Sequence, residues 1–181
     1  FFYFTYPVKN IFYQKAEGDW TATLVMTIPN PTAVGSQNTN QFIFSAFEDS
    51  DHFVDIGFFS TSQNYGPFFL SSRQESGTSY NATRLVPADE RENPLQSEGW
   101  GSDPQTISFR IKKSGDTYTT YYQRQQMKAA GTDFVAVKTC TASYAEPKIG
   151  FYMTCGKKAP SSTVIIESFT ISDYTPPAKG Y

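Results

Sequence analysis

The chain of 181 residues has only one histidine and two cysteines. A lone His52 cannot build a metal site, and Cys140 and Cys155 are not close enough in sequence to read as a metal-binding pair. Two cysteines are also too few for a disulfide scaffold. They leave two readings open. Either Cys140 and Cys155 form one bridge, worth about 3 kcal/mol by the loop-entropy account, or they are two buried free thiols. No Gly-x-Ser-x-Gly elbow and no phosphate-binding glycine loop is present. No run is apolar enough for a transmembrane helix, and no signal-peptide pattern stands out. The formal charge of −2 removes the electrostatic basis for binding nucleic acid or a membrane surface. Helix formers are nowhere arranged at helical spacing over a long stretch.

What the chain has instead is aromatic residues: 16 Phe, 12 Tyr and 2 Trp, or 17% of the total. Phe and Tyr favour strands, so this content points to an all-β protein. The length suits one domain with a sizeable core. Residues 1–174 read as that domain and 175–181, with Pro176, Pro177 and Gly180, as a tail or linker. The first residue is Phe rather than Met, as in an excised module or a mature product. Asn81-Ala82-Thr83 is a glycosylation sequon, a short pattern that also arises by chance.

Alternation supplies the strands. The stretch 41–59, QFIFSAFEDSDHFVDIGFF, places two aromatic runs around the acidic turn Glu48-Asp49-Ser50-Asp51. Val54, Ile56 and Phe58 alternate with Phe53, Asp55 and Gly57, a period of two that marks a strand with one buried face. Turn residues of this kind hydrogen-bond their own backbone and favour reversal. The stretch therefore reads as a β-hairpin. Residues 20–28, WTATLVMTI, put Trp20, Ala22, Leu24, Met26 and Ile28 on one side and threonines on the other. In 106–112 Ile107, Phe109 and Ile111 face one way and Arg110 the other; Ser114-Gly115-Asp116 turns the chain, and 117–123 returns. Arg110 then neighbours Tyr121 or Gln123 across the hairpin. Further strands are expected at 1–6, 8–13, 67–72, 79–86, 134–138, 148–154 and 163–172, the last with ambiguous alternation. Residues 125–131 read as a linker or a helical turn. Pairing of 134–138 with 148–154 would bring Cys140 towards Cys155. Some ten strands at intervals near ten residues predict a two-sheet antiparallel sandwich or jelly roll. A long irregular segment, 87–104, holds Trp100 between two glycines; loops of that length are often functional.

The order of several motifs resembles the concanavalin A-like β-sandwich domains attached to family 43 β-xylosidases and arabinofuranosidases. The motifs are Gly18-Asp19-Trp20 leading into a long strand, the hairpin from Phe42 to Gly57, the run from Ile107 to Tyr122, and Lys148 to Tyr152 followed by Ile166 to Ile171. They span nearly the whole chain, and each is degenerate. Two departures stand out. The family often has Asp-Gly-x-x-Trp after the second hairpin strand, where this chain has Gly131-Thr132-Asp133-Phe134, and the segment 60–104 is long.

The resemblance implies a sandwich with one concave sheet that binds glycan or packs on a catalytic domain. Sugar recognition needs flat aromatic faces and planar hydrogen-bonding groups on a rigid platform. On the expected register the non-core face offers Phe53, Asp55, Arg110, Tyr121, Gln123 and Tyr152, with Trp100 and His52 reaching in from loops. The plain alternative is a solvated face with Arg110 paired to Asp55, an exposed pair worth roughly 0–1 kcal/mol. The leading expectation is a non-catalytic carbohydrate-binding or accessory module of a secreted polysaccharide-degrading enzyme. Its partners would be an oligo- or polysaccharide and a catalytic domain in the same parent chain. A structural or adhesion domain packed on a partner is the second reading, and a glycoside hydrolase in its own right the third. Glycosidases need two carboxylates about 5–10 Å apart. The candidates are Glu48, Asp49, Asp51 and Asp55, of which the first three sit in a turn, and no Glu-x-Asp-x-x-Glu strand occurs. No cofactor is expected. The acidic turn suits a structural calcium by its oxygens but lacks a complete loop pattern, so a solvated turn is the simpler reading.

Overall fold

In a computed structural model, the chain is nearly all β. The structure describes residues 11–29, 41–59, 69–76, 79–84, 104–129, 131, 133–154 and 163–173. The strand expected at 1–6, the segment 87–103 with Trp100, Cys155 and the tail 175–181 lie outside the described residues.

The strands form where side chains alternate. They are β1 (Ile11–Lys15), β2 (Trp20–Ile28), β3 (Gln41–Phe47), β4 (His52–Phe59), β5 (Phe69–Ser76), β6 (Ser79–Arg84), β7 (Gln105–Ser114), β8 (Thr117–Arg124), β9 (Val135–Thr141), β10 (Lys148–Thr154) and β11 (Ile165–Ser172). In β2 buried and half-buried residues alternate along all nine positions. Among the described residues a short helix, α1 (Gln125–Ala129), follows β8. The amide of Gly131 closes it by donating to the Lys128 carbonyl at 3.0 Å, and Gly131 has φ 74°, the left-handed value that ends helices cheaply only at glycine.

The strands form two antiparallel sheets. One has six strands in the order β1-β10-β3-β4-β5-β6, the other five in the order β11-β2-β7-β8-β9. Their inner faces pack together. Leu24, Met26, Phe109 and Ile111 from the five-stranded sheet meet Phe44, Val54, Ile56 and Ile149 from the six-stranded sheet, all at 0% exposure. Phe169 of β11 bridges the layers, set edge-on to Phe44 at 6.1 Å and to Phe151 at 5.8 Å. At one end of the core Trp20 meets Tyr118 edge-on at 6.1 Å and donates from its indole N–H to the Ala16 carbonyl. The Tyr118 and Tyr144 rings lie 5.4 Å apart, and burial pushes both hydroxyls well above the ordinary tyrosine pKa.

Turn chemistry fastens this framework. Asp19, in the turn before β2, reaches the β7–β8 turn, where its Oδ1 accepts from the Gly115 amide at 2.7 Å and its Oδ2 from the Ser114 hydroxyl at 3.3 Å. Gly115 has φ 55°, which a non-glycine residue adopts only with strain. Lys113 donates to the Gly18 carbonyl at 2.9 Å.

One expectation changes and another gains an explanation. β9 and β10 do not pair, because β9 closes the edge of the five-stranded sheet and β10 lies inside the other. That pairing therefore does not bring Cys140 towards Cys155, which lies outside the described residues; Cys140 is half-buried, and burial raises the pKa of its thiol. The ambiguous alternation of β11 has a physical cause. A bulge between Ile166 and Ser168 shifts the register by one residue, so that Ile166, Phe169 and Ile171 stand opposite the inward residues Met26, Leu24 and Ala22. Of the strand expected at 8–13, residues 11–13 lie in β1, and 8–10 are outside the described residues.

Core and outer positions should respond differently to truncation. Phe44→Ala should cost about 3–5 kcal/mol in urea unfolding. Thr139→Ala, on the exposed side of β9, should stay within about 0.5 kcal/mol of the parent. Similar costs at both positions would contradict this packing.

Candidate functional site

The outer face of the six-stranded sheet is built by residues that alternate with the core. In register across it run the rows Lys15–Lys148–Phe47–Phe53, then Tyr13–Gly150–Ser45–Asp55–Arg73, then Ile11–Tyr152–Ile43–Gly57–Ser71. The face is polar and closed at its centre. Ser45 is 3% exposed and Asp55 and Ile43 are at 0%, although none of them belongs to the inter-sheet core. A buried carboxylate persists only with hydrogen-bonding or charged partners, and Asp55 is not without an interaction here. Gln41, on the same face, is buried, and its Oε1 has no hydrogen-bond partner among the described residues.

Aromatic residues rim this centre. Tyr13, 53% exposed, meets the Phe47 ring edge-on at 5.7 Å. Phe47 stands opposite half-buried Phe53, and the Lys148 ammonium lies 5.7 Å from the Phe47 ring centroid. Tyr152 is half-buried one row further along. Gly150 makes the corner fit. A Cβ there would collide with the Phe12 carbonyl and come within 2.7 Å of the Tyr13 Cβ. The sequence reading had Phe53, Asp55 and Tyr152 on this face and missed Tyr13 and Phe47. Phe47 was findable by counting back from the acidic turn, since a tight hairpin sets it opposite Phe53.

The acidic turn does structural work. The Glu48 amide donates to the His52 carbonyl at 2.9 Å. Asp49 Oδ1 accepts from the Asp51 amide at 2.8 Å and lies 2.8 Å from His52 Nδ1. Glu48 Oε1 accepts from the amides of Ala145 and Glu146 at 3.2 and 3.3 Å, while its carbonyl accepts from Lys148 at 2.7 Å. These contacts tie the β3–β4 hairpin to the β9–β10 connection. Two of the four carboxylates considered for catalysis or calcium thus already serve backbone amides. Among the described residues no group of three or more His, Cys, Asp or Glu could hold a metal ion.

The remaining candidates lie elsewhere. Arg110, Tyr121 and Gln123 occupy the outer face of the five-stranded sheet, on the opposite side of the sandwich from Phe53, Asp55 and Tyr152. Arg110 stands opposite Tyr121, as the hairpin reading required. Pairing with Asp55 is excluded, and Arg110 instead donates from Nε to Thr23 Oγ1 at 3.1 Å, with its guanidinium carbon 3.7 Å from the Phe134 ring centroid. The single platform therefore divides into two. Alternation along a strand tells inward from outward, but not which sheet the strand joins.

No family model and no curated protein matches the sequence. Solved structures share the fold. The GH43 protein BlXynB of Bacillus licheniformis, in a mutant form, aligns with TM-score 0.59 and 6% identity over 86% of this chain, which spans 27% of that one. The CBM2 module of an evolved Dit from a Lactobacillus casei phage aligns with TM-score 0.55 and 12% identity, over 85% of this chain and 61% of that one. A tetrameric galectin from the ball sponge Cinachyrella aligns with TM-score 0.52 and 12% identity, over 90% of this chain and 99% of that one. At such identities the likeness is one of fold: a lectin-like two-sheet β-sandwich.

The turn carries a pH dependence. The hydrogen bond to Asp49 raises the His52 pKa above its ordinary value. Burial works against the Asp49 carboxylate, but hydrogen bonds from the Asp51 amide and His52 hold its pKa below the ordinary value. A raised folded-state pKa means that the His52 contribution is complete below about pH 6.5 and is lost as pH rises through the folded value. Thermal melts of the parent and His52→Gln across that window should differ most on the acidic side and converge on the alkaline side. A constant difference would show that the pair does not titrate with folding.

Proposed function

We propose that this chain is a non-catalytic carbohydrate-binding or accessory module, and that glycan binds the outer face of the six-stranded sheet. The carrying observation is the aromatic corner of Tyr13, Phe47 and Phe53 beside a buried polar centre of Ser45 and Asp55. Aromatic faces accept the C–H side of a sugar ring, whereas Ser45 and Asp55, closed to solvent, underlie the platform and do not reach the ligand. Tyr152 extends the rim. The Lys148 ammonium beside Phe47 adds a donor at the same edge. The fold shared with a GH43 protein, a CBM2 module and a galectin supports a saccharide partner. The small share of the GH43 protein that the chain spans fits a module of a longer secreted polysaccharide-degrading enzyme, in which a catalytic domain would be a partner within the chain.

One observation favours packing against a protein instead. At the β1 and β11 edges Phe12 is 69% exposed, Ile165 45% and Ile166 36%. An apolar edge of that kind suits contact with a neighbouring domain. The two readings use different surfaces and are compatible in one parent chain.

Affinity gel electrophoresis on a panel of neutral polysaccharides tests the glycan reading. Phe47→Ala and Phe53→Ala should each weaken retardation by about three- to tenfold while the fold is retained. Undiminished retardation in both variants would remove this face as the site.

A further inference from the structure

The opposite face carries its own constellation. On the outer side of the five-stranded sheet the rows in register are Ser172–Thr21–Lys112–Thr119–Thr139, Thr170–Thr23–Arg110–Tyr121–Ala136, and Ser168–Val25–Ser108–Gln123. These rows hold many hydroxyls, two cations and no carboxylate. Arg110 is fixed from two directions by its Nε–H bond to Thr23 and by the Phe134 ring beneath it. Among the described residues, neither of its terminal NH2 groups has a hydrogen-bond partner. Among the described residues no carboxylate lies at ion-pair distance from Arg110, Lys112 or Lys128. The acid next along the chain, Asp133, has its Oδ1 turned to the Phe134 amide at 2.7 Å. Glu167 sits at the bulge of the edge strand β11, outside these rows.

Beyond Ser108 the face opens into a hollow of about 480 Å³ between the sheet and α1, lined by Val25, Thr106, Ser108, Gln123, Gln125 and Lys128. Its size is in the range that houses small ligands. Lys112, Arg110 and Ser108 are successive same-face positions of β7, about 7 Å apart along the strand. The hollow with Lys128 on its wall continues from Ser108.

We infer that this face is a second saccharide site, selective for carboxylate-bearing sugars. A pre-set guanidinium with both terminal NH2 groups available matches the planar carboxylate of a uronate through two parallel hydrogen bonds. Serine and threonine hydroxyls and the Gln123 amide supply the neutral contacts that sugar hydroxyls need. Lys112 and Lys128 extend the positive line in both directions, so that an extended chain of uronates meets one cation after another. Unlike the proposed neutral-glycan site, this one depends on Arg110, on the other side of the sandwich from Phe53.

The test is affinity electrophoresis of the full chain at neutral pH and low salt, in polygalacturonate and in its fully methyl-esterified form, which keeps the backbone but not the charge. The parent should be retarded by the acid form and not by the ester. Arg110→Lys keeps a cation but loses the fork, and should weaken retardation about tenfold, as should Arg110→Ala. Lys112→Ala should weaken it less and lower its salt dependence. Phe53→Ala should leave it unchanged, and xylan binding should be indifferent to Arg110→Lys. Circular dichroism identifies any variant that fails to fold, and Arg110→Lys decides if Arg110→Ala is such a one. The inference is overturned if the parent ignores polygalacturonate, if the ester binds equally, or if Arg110→Lys binds as tightly as the parent. Loss of xylan binding in Phe53→Ala with no polygalacturonate binding at all would sink this inference and leave the first site standing.

Discussion

The burial of one sheet's inner face against the other is the constraint on which the rest of the structure depends. Neither sheet can shield its own apolar side, so Leu24, Met26 and Phe109 need Phe44, Val54 and Ile56 across the gap. Phe169 is where this dependence concentrates, since it touches Phe44 and Phe151 from the opposite layer while belonging to an edge strand. The β11 bulge is what lets it do so. Without the extra residue, Ile166 and Phe169 could not both stand opposite inward residues of β2, Met26 and Leu24.

Face-to-face packing leaves two outer faces on opposite sides of the molecule, and their chemistries differ. The six-stranded face has a closed polar centre at Ser45 and Asp55 and an aromatic rim. The five-stranded face is hydroxyl-rich and cationic, with Arg110 held in place by Thr23 and Phe134. Each arrangement has a physical cost that the core does not explain. A carboxylate at 0% exposure is expensive unless partnered, and a guanidinium lined up on an aromatic ring gives up rotamer freedom. The acidic turn, by contrast, is fully accounted for by the hairpin and by the amides of Ala145 and Glu146 that Glu48 receives.

Much of the fold was legible in local pattern. The period of two in 20–28, 52–56 and 107–111 identified the buried side of β2, β4 and β7, because a strand exposes alternate residues to different environments whatever its neighbours are. The turn chemistry at Ser114-Gly115-Asp116 narrowed the cross-hairpin neighbour of Arg110 to Tyr121 or Gln123, and the structure has Tyr121. The aromatic corner was only half legible. Phe53 stood out beside the turn, whereas Tyr13 comes from a strand separated from Phe47 by β10, and no local spacing reports that neighbourhood.

What the sequence determined by itself was therefore the set of strands, the inward or outward sense of their side chains and the hairpin contacts between chain neighbours. Tertiary structure alone decided which sheet each strand joins. That choice separated Phe53 and Asp55 from Arg110 and Tyr121 and kept β9 from pairing with β10. The reason is physical. Alternation is set by each residue's immediate surroundings, whereas sheet membership is set by long-range backbone pairing between segments far apart in the chain, and outward-facing residues look alike in sequence on either layer.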